Sequence, residues 1–177
     1  MPRGGPRLSL IEVALLLCLS GIVLAVFVPT FLRRVRTNKI TEAAELLQEL
    51  SDRTAAYYAT SWDTGKRYCL PPSAGPTPAA PTPEPEEVDF FADDQAGHTT
   101  WKALGFQPDH PVRYSYTYTS TRDGCDLSGS AELGLVSFRA EGDLDGDGVR
   151  STFERQATLE ADGFKPGDTF HVHQRTE

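Results

Sequence analysis

An uninterrupted run of 20 residues without a charged side chain, Val13–Leu32, constrains this chain more than any other feature. A helix of that length extends about 30 Å, which is the thickness of the hydrocarbon core of a bilayer. Arg3 and Arg7 precede the run and Arg33 and Arg34 follow it, so the basic flanks do not fix its orientation. The run ends without the small-residue cleavage site of a secretory signal, and we expect it to remain attached as an anchor.

Charge is distributed unevenly along the chain. The first 39 residues carry six basic groups and one acid, Glu12, whereas the rest carry 11 basic and 24 acidic groups, a net of −13. A basic anchor therefore precedes a strongly acidic head. Because an acidic surface repels phosphate backbones, we expect no direct nucleic-acid partner.

The residues after the anchor follow a helical period. Apolar or small residues recur at three- and four-residue steps, at Ile40, Ala43, Leu47, Leu50, Thr54 and Tyr57. This spacing predicts an amphipathic helix that packs on the head, with Glu42, Glu45, Glu49 and Asp52 on its opposite side. We expect one helix from Leu8 to about Ala59.

The remaining segments predict a proline-rich loop followed by an antiparallel sheet. Seven of the chain's 13 prolines lie in 71–87, which favours an exposed, extended or disordered loop. A short capped helix is expected near 99–105. Strands are expected at 112–119, 135–140, 152–159 and 169–173. The tyrosines of the first strand, Tyr114, Tyr116 and Tyr118, are expected to pack the sheet against the helix, and the fold class is α+β.

A twelve-residue segment beginning at Asp143 matches the calcium-loop pattern D-x-D-x-D-G-x₅-E at every specified position. Alternating short carboxylates can surround a hard cation, and Gly148 permits the sharp turn. The predicted calcium ligands are Asp143, Asp145, Asp147, the Val149 carbonyl, Ser151 through a water, and Glu154. Strands flank this loop instead of the helices of an EF-hand, so Glu154 could point away, and a metal-free hairpin turn is the alternative.

Two further pairs of residues suggest sites in the head. Cys69 and Cys125 lie in polar sequence and would form a disulfide in an oxidising compartment, or remain as two thiols in a reducing one. The anchor argues for export and therefore favours the disulfide. His171 and His173 have a spacing that can bind zinc, but a solvated strand face is favoured because no third ligand is evident.

The first 60 residues resemble the N-terminal region of type IV prepilins and pseudopilins. The segment Leu8-Ser9-Leu10-Ile11-Glu12 opens an apolar helix, and Gly21 and Pro29 match the helix-loosening residues of that family in their distance from Glu12. The resemblance implies cleavage before Leu8 by a prepilin peptidase and N-methylation of the new terminus. It also implies that Glu12 pairs with the terminal ammonium of a neighbouring subunit. The stretch from Gly21 to Pro29 would melt most readily.

The resemblance implies a leader (1–7) and a transmembrane and filament-core helix (8–32). The residue patterns predict the amphipathic half of the helix (33–60), a proline-rich connecting region (61–111) and a sheet with the calcium-type loop (112–177). The implied partners are other pilin subunits, the prepilin peptidase, an inner-membrane assembly platform and membrane lipid. The chain would be anchored in the inner membrane with a periplasmic head, then incorporated into an extracellular pilus or a periplasmic pseudopilus.

No nucleophile motif or phosphate-binding loop is present in the sequence, and an enzyme is not expected.

Two alternatives to a type IV pilus subunit remain. One is a type II secretion pseudopilin, which shares the same N-terminal features. The other is a membrane-anchored calcium-binding module that never polymerises. Arg7 favours the second alternative because the family normally has Gly immediately before the cut.

Overall fold

A computed structural model describes residues 9–62, 65–66, 68–125, 127, 134–160 and 163–173. The chain divides into two compact units, Met1–Ile40 and Thr41–Glu177, and the helix α1 (Leu10–Ala59) contributes to both. The described elements are helices and antiparallel strands, which confirms the α+β class.

The first unit contains an apolar helical segment whose side chains are not covered by protein. Leu10–Val28 has 19 residues, a mean hydropathy of 2.7 and no buried residue. Leu10 is 87% exposed and Phe27 is 68% exposed. The segment is long and apolar enough to cross a membrane. Exposure of so much apolar surface is unfavourable in water.

The backbone of α1 is helical without interruption through Gly21 and Pro29. No heavy atom outside the helix backbone lies within 4 Å of the position that a Cβ on Gly21 would take. Proline cannot donate the hydrogen bond to the carbonyl four residues earlier, so the helix at Pro29 has one backbone bond fewer than an ordinary turn. The expected loosening of this stretch is therefore absent from the isolated chain and stays a prediction for an assembled state.

The second unit is built on a five-stranded antiparallel sheet with strand order β3-β4-β5-β6-β7. A two-stranded hairpin precedes the sheet, formed by β1 (Ser61–Trp62) and β2 (Gly65–Lys66). The sheet strands are β3 (Ala74–Thr77), β4 (Ser115–Ser120), β5 (Gly134–Gly142), β6 (Ser151–Glu160) and β7 (Gly163–His173). A short helix, α2 (His98–Leu104), lies between β3 and β4 and ends at Gly105 in the left-handed conformation, close to the expected position.

One face of the sheet forms the core against α1. Alternate residues of β5 and β6 are buried on this face, including Phe138 and Phe153. Tyr114, Tyr116 and Tyr118 are fully buried, which confirms that the tyrosine row packs inside the head. The helix contributes a stripe with no exposed surface at Ala43, Leu47, Leu50 and Thr54.

Glu42 corrects the predicted helix pattern. It was assigned to the solvent side of α1, but it is 8% exposed and its carboxylate faces the sheet. Glu42 Oε1 accepts a hydrogen bond from the Arg113 backbone N–H at 2.8 Å, and Oε2 contacts Arg113 Nη1 at 3.2 Å. An ion-paired and hydrogen-bonded carboxylate can be buried at the border of an apolar stripe, where an unpaired one could not.

The proline-rich stretch is more ordered than expected. Ala74–Thr77 forms the edge strand β3, and Ala74 and Thr77 are buried. Proline lacks an N–H and is tolerated at a sheet edge, where one side of the strand needs no partner. Gly75 has φ +95° and a Cβ there would collide with the Tyr116 carbonyl oxygen, so the close approach of β3 to β4 requires glycine.

Candidate functional site

The start of α1 holds the only carboxylate of the apolar segment. Ser9 N donates to Glu12 Oε2 at 2.7 Å, and Glu12 N donates to Ser9 Oγ at 3.3 Å. This reciprocal pair is a capping box, which satisfies two of the helix's free N–H groups. The S-x-x-E spacing of Ser9 and Glu12 is a sequence signal for this capping box, which Glu12 forms within its own chain.

The other residues assigned to processing and assembly are located as follows. Leu8 and the leader 1–7 lie outside the described residues. Gly21 is exposed within the apolar segment, and Pro29 lies in the helical backbone of α1. The structure therefore places Glu12 and Gly21 on one exposed helix.

The Asp-rich loop connects β5 to β6, beyond the last paired residues Gly142 and Ser151. Ligand oxygens of Asp143, Asp145 and Asp147 all lie within 4.8 Å of one another. Calcium binds oxygen at about 2.3–2.6 Å, so ligands on opposite sides of one ion are about 5 Å apart. The three carboxylates therefore lie close enough together to contact one cation.

Backbone N–H groups shape this loop from within. Asp143 Oδ1 accepts from Gly146 N at 2.9 Å and Asp143 Oδ2 accepts from Gly148 N at 3.1 Å. Asp147 Oδ1 accepts from Val149 N at 2.8 Å. Both glycines have positive φ, which allows the chain to fold around the Asp143 carboxylate. The loop geometry is thus held by its own peptide groups, and Asp145 and Asp147 remain exposed.

The last predicted ligands do not join the three aspartates. Glu154 lies on β6, where its Oε1 accepts from Ser137 Oγ and from Gln156 Nε2, each at 2.8 Å. The bond from Gln156, assisted by that from Ser137, holds the pKa of Glu154 below its ordinary value. Ser151 is buried and its Oγ donates to the Gly142 carbonyl at 3.2 Å. Among the four predicted carboxylate ligands, the structure thus brings together the three aspartates and leaves Glu154 apart from them.

The disulfide and histidine predictions have different outcomes. Cys69 and Cys125 are bonded, which confirms the pair, and Cys18 is a free cysteine on the exposed apolar helix. His171 and His173 lie on β7 with exposed side chains, and His171 pairs in register with Glu154. Within the described part of the chain, the aspartate group alone gathers three side chains suited to one metal ion.

Glu42 is the charged group that sequence reasoning missed. Besides Arg113, its Oε1 lies 3.5 Å from the Tyr116 hydroxyl, so it joins α1 to β4. Its place at the border of the apolar stripe was the only available signal, because its partners are 71 and 74 residues away.

Comparison with family models, curated proteins and solved structures finds no match to this chain.

Proposed function

We propose that this chain is a structural subunit of a type IV pilus or pilus-like filament, assembled through its N-terminal helix. One observation carries the proposal: an exposed apolar helix long enough for a membrane begins with a single carboxylate, Glu12. Such a helix can occupy lipid before assembly and the apolar core of a filament after it. The acidic head, closed by a disulfide, suits an extracytoplasmic compartment.

In this proposal, the peptidase cuts before Leu8 and the new α-ammonium meets Glu12 of a neighbouring subunit. Either charge is costly to bury alone, and removing one partner of a buried pair costs about 3–5 kcal/mol. The pair would set the axial register of subunits more than it would add stability. The protein starts in the inner membrane with a periplasmic head and is then drawn into the filament by an assembly platform.

Substitution of Glu12 separates this role from helix capping. Gln can keep the acceptor of the capping box but lacks the charge, whereas Val lacks both. We expect Glu12→Gln and Glu12→Val both to insert in the membrane and both to fall in filament incorporation by at least about tenfold. The measurement compares sheared filaments with membranes by quantitative immunoblot. If Glu12→Gln assembles like the wild type, Glu12 acts as a cap and the register role is lost.

Mass spectrometry of the N-terminus is the direct test of processing. An N-methylated Leu8 in sheared filaments supports the pilin proposal despite Arg7. An intact N-terminus found only in membranes favours the anchored module that never polymerises, which is the candidate that Arg7 supports. A methylated terminus with no surface filament favours the type II secretion pseudopilin.

We further propose that the Asp-rich loop binds calcium through Asp143, Asp145 and Asp147. Three carboxylates at the separation of one coordination shell support this, and backbone carbonyls and waters would complete it. With Glu154 bonded elsewhere, we expect a weak site of the extracellular class, with Kd of about 10⁻⁴–10⁻³ M. Its role would be to hold the β5–β6 connection by neutralising the exposed carboxylates.

Calcium titration with matched variants tests this site. About 10 mM calcium should raise the Tm of the wild type by a few degrees, since binding to the native state alone adds about 1.4–2.7 kcal/mol at 10–100 times Kd. Asp145→Asn with Asp147→Asn should abolish the rise, and Glu154→Gln should keep it. A rise lost in Glu154→Gln would restore the six-ligand site predicted from the sequence. No rise in the wild type would leave a plain hairpin turn.

A further inference from the structure

The last strand of the sheet is paired along one edge only. β7 pairs with β6, and in the part of the chain that the structure describes the other edge of Phe170–His173 makes no backbone hydrogen bond. The opposite edge of the sheet differs, because Gly75 N on β3 donates to the Ala96 carbonyl at 2.9 Å. An open edge presents backbone donors and acceptors to a further strand. The end of β7 can therefore pair with another chain.

Two histidines lie on the solvent face of this open segment. His171 and His173 are exposed, and His171 pairs in register with Glu154 of β6. Residues two apart on a strand point to the same side, so the two imidazoles share one face. Phe170 and Val172 lie on the helix side of the strand and are only half-buried. The segment thus combines two metal-ligating side chains with apolar surface that its own chain leaves partly uncovered.

Two imidazoles make up half of a zinc site. Zinc in structural sites is held by four ligands in a tetrahedron, and histidine nitrogen is one of its usual ligands. Among the described residues, no third histidine, cysteine or carboxylate joins His171 and His173 in one group. One copy of the chain therefore supplies two of the four ligands, and a second copy can supply the same two.

We propose that His171 and His173 of two copies of this chain together bind one zinc ion, with the two β7 strands paired antiparallel. In this register Val172 of each copy lies opposite its equivalent, and His171 of each copy lies opposite His173 of the other. Side chains directly opposite on antiparallel strands have Cβ atoms about 4.5–5.5 Å apart, so the four imidazoles gather on one face. The contact is two-fold, as the pairing of identical surfaces requires.

The shortness of the open segment makes the pairing depend on the metal. Four residues from each strand bury far less than the roughly 1,200 Å² of a stable protein interface, so strand pairing alone should not hold two copies together. Zinc adds ligand bonds that are complete only when both copies are present. Glu154, the neighbour of His171 on β6, places a carboxylate beside the cation. The site requires no filament and is independent of the proposed function.

Capture of one copy by another tests the shared site. Two versions of the full chain, carrying different tags without histidine, are mixed in detergent with zinc chloride or with EDTA. We expect zinc to raise co-capture at least about tenfold, with one zinc bound per two chains. His171→Ala with His173→Ala should lose both effects. His98→Ala with His110→Ala removes as many histidines, also outside the core, and should keep both effects.

Each contrary result overturns the shared site. Co-capture that zinc does not raise removes the pairing, and zinc-dependent capture that survives His171→Ala with His173→Ala assigns the metal to other residues. One zinc per chain without capture places the ion on a single copy. Calcium chloride should not replace zinc, since calcium prefers oxygen ligands. Capture promoted equally by calcium would move the contact to the Asp-rich loop.

Discussion

Glu42 couples α1 to the sheet through three groups at once. Its carboxylate meets the Arg113 backbone N–H, the Arg113 guanidinium and the Tyr116 hydroxyl. The Glu42 side chain is 6% exposed and the Arg113 side chain is 27% exposed. This pair is shielded from water on the helix side. Its loss should therefore lower the free energy of unfolding by more than the loss of a surface ion pair does.

Glu42→Ala should therefore lower the free energy of unfolding by about 2–4 kcal/mol. It leaves the Arg113 N–H and guanidinium without their shared acceptor. Denaturant unfolding of the full chain in detergent, followed by near-ultraviolet circular dichroism, measures the change. Glu49→Ala is the matched control, because Glu49 is a half-exposed member of an ion pair on the same helix and should cost at most about 1 kcal/mol. Equal losses in the two variants would contradict a structural role for Glu42.

For single residues, proximity that depends on local spacing could be predicted from the sequence. The three aspartates were found by their alternation, and Gly148 by its place in the loop. Glu42 and Glu154 could not be placed, because their environments depend on residues brought near by tertiary contacts and strand register. Glu154 has Ser137 as a partner only because β5 and β6 pair side by side.

At the scale of elements, β4 and Tyr114 just before it present three tyrosines to the core of the head. Burial is the first cause that raises the pKa of Tyr114, Tyr116 and Tyr118, and the nearby Glu42 carboxylate adds to it for Tyr114 and Tyr116. In the unfolded chain the three phenols ionise near pH 10. The pKa of each phenol is higher in the folded protein than in the unfolded chain. The three phenols therefore contribute fully to the free energy of unfolding below about pH 10, and this contribution is lost as the pH rises above that value.

We expect the free energy of unfolding to be flat up to about pH 10 and then to fall by about 4 kcal/mol per pH unit, the slope of three phenols that ionise only on unfolding. Denaturant unfolding across pH 8–11 measures it, and phenolate absorbance shows when ionisation occurs. Tyr118→Phe should reduce the slope by about one third. A slope that is unchanged in Tyr118→Phe would show that this phenol ionises in the folded state.

Elements whose residues follow a strong periodic pattern were predicted well. An element that forms only because it pairs with another strand was not. The helix end near Ala59 and the strands β5 and β6 agree closely, because their burial alternates along the chain. The edge strand β3 was expected to be loop, since Pro76 interrupts it and Pro78 adjoins it. It forms because β4 offers a free edge and Trp101 Nε1 donates to Thr77 Oγ1 at 3.0 Å.

At the scale of the whole molecule, the two units contain different chemistry. One is an apolar helix with an exposed surface, and the other is an acidic, disulfide-closed head with its own core. This division was predictable because charge and hydropathy change abruptly along the chain. The strand edge that stays open in the described part of the head was not predictable, since it depends on the order of the strands in the sheet.

Replacing Cys69 and Cys125 by Ala should destabilise the head by about 4 kcal/mol, the chain-entropy estimate for a closed loop of this length. A thermal melt with and without reductant measures the effect, and the variant should melt alike in both. Cys18→Ser is the control and should leave the Tm unchanged, because Cys18 is unpaired on the apolar helix. A double variant as stable as the wild type would mean that the bond adds nothing to folding.

The position of that bond has a consequence for what proteolysis does to the head. The interval between the two cysteines, which are 56 positions apart, contains β3, α2 and β4 together with the proline-rich stretch. A protease that cuts anywhere inside this interval divides the peptide chain but leaves both pieces joined through sulfur. The head is thereby protected against shedding: a nicked copy keeps its pieces until a reductant arrives.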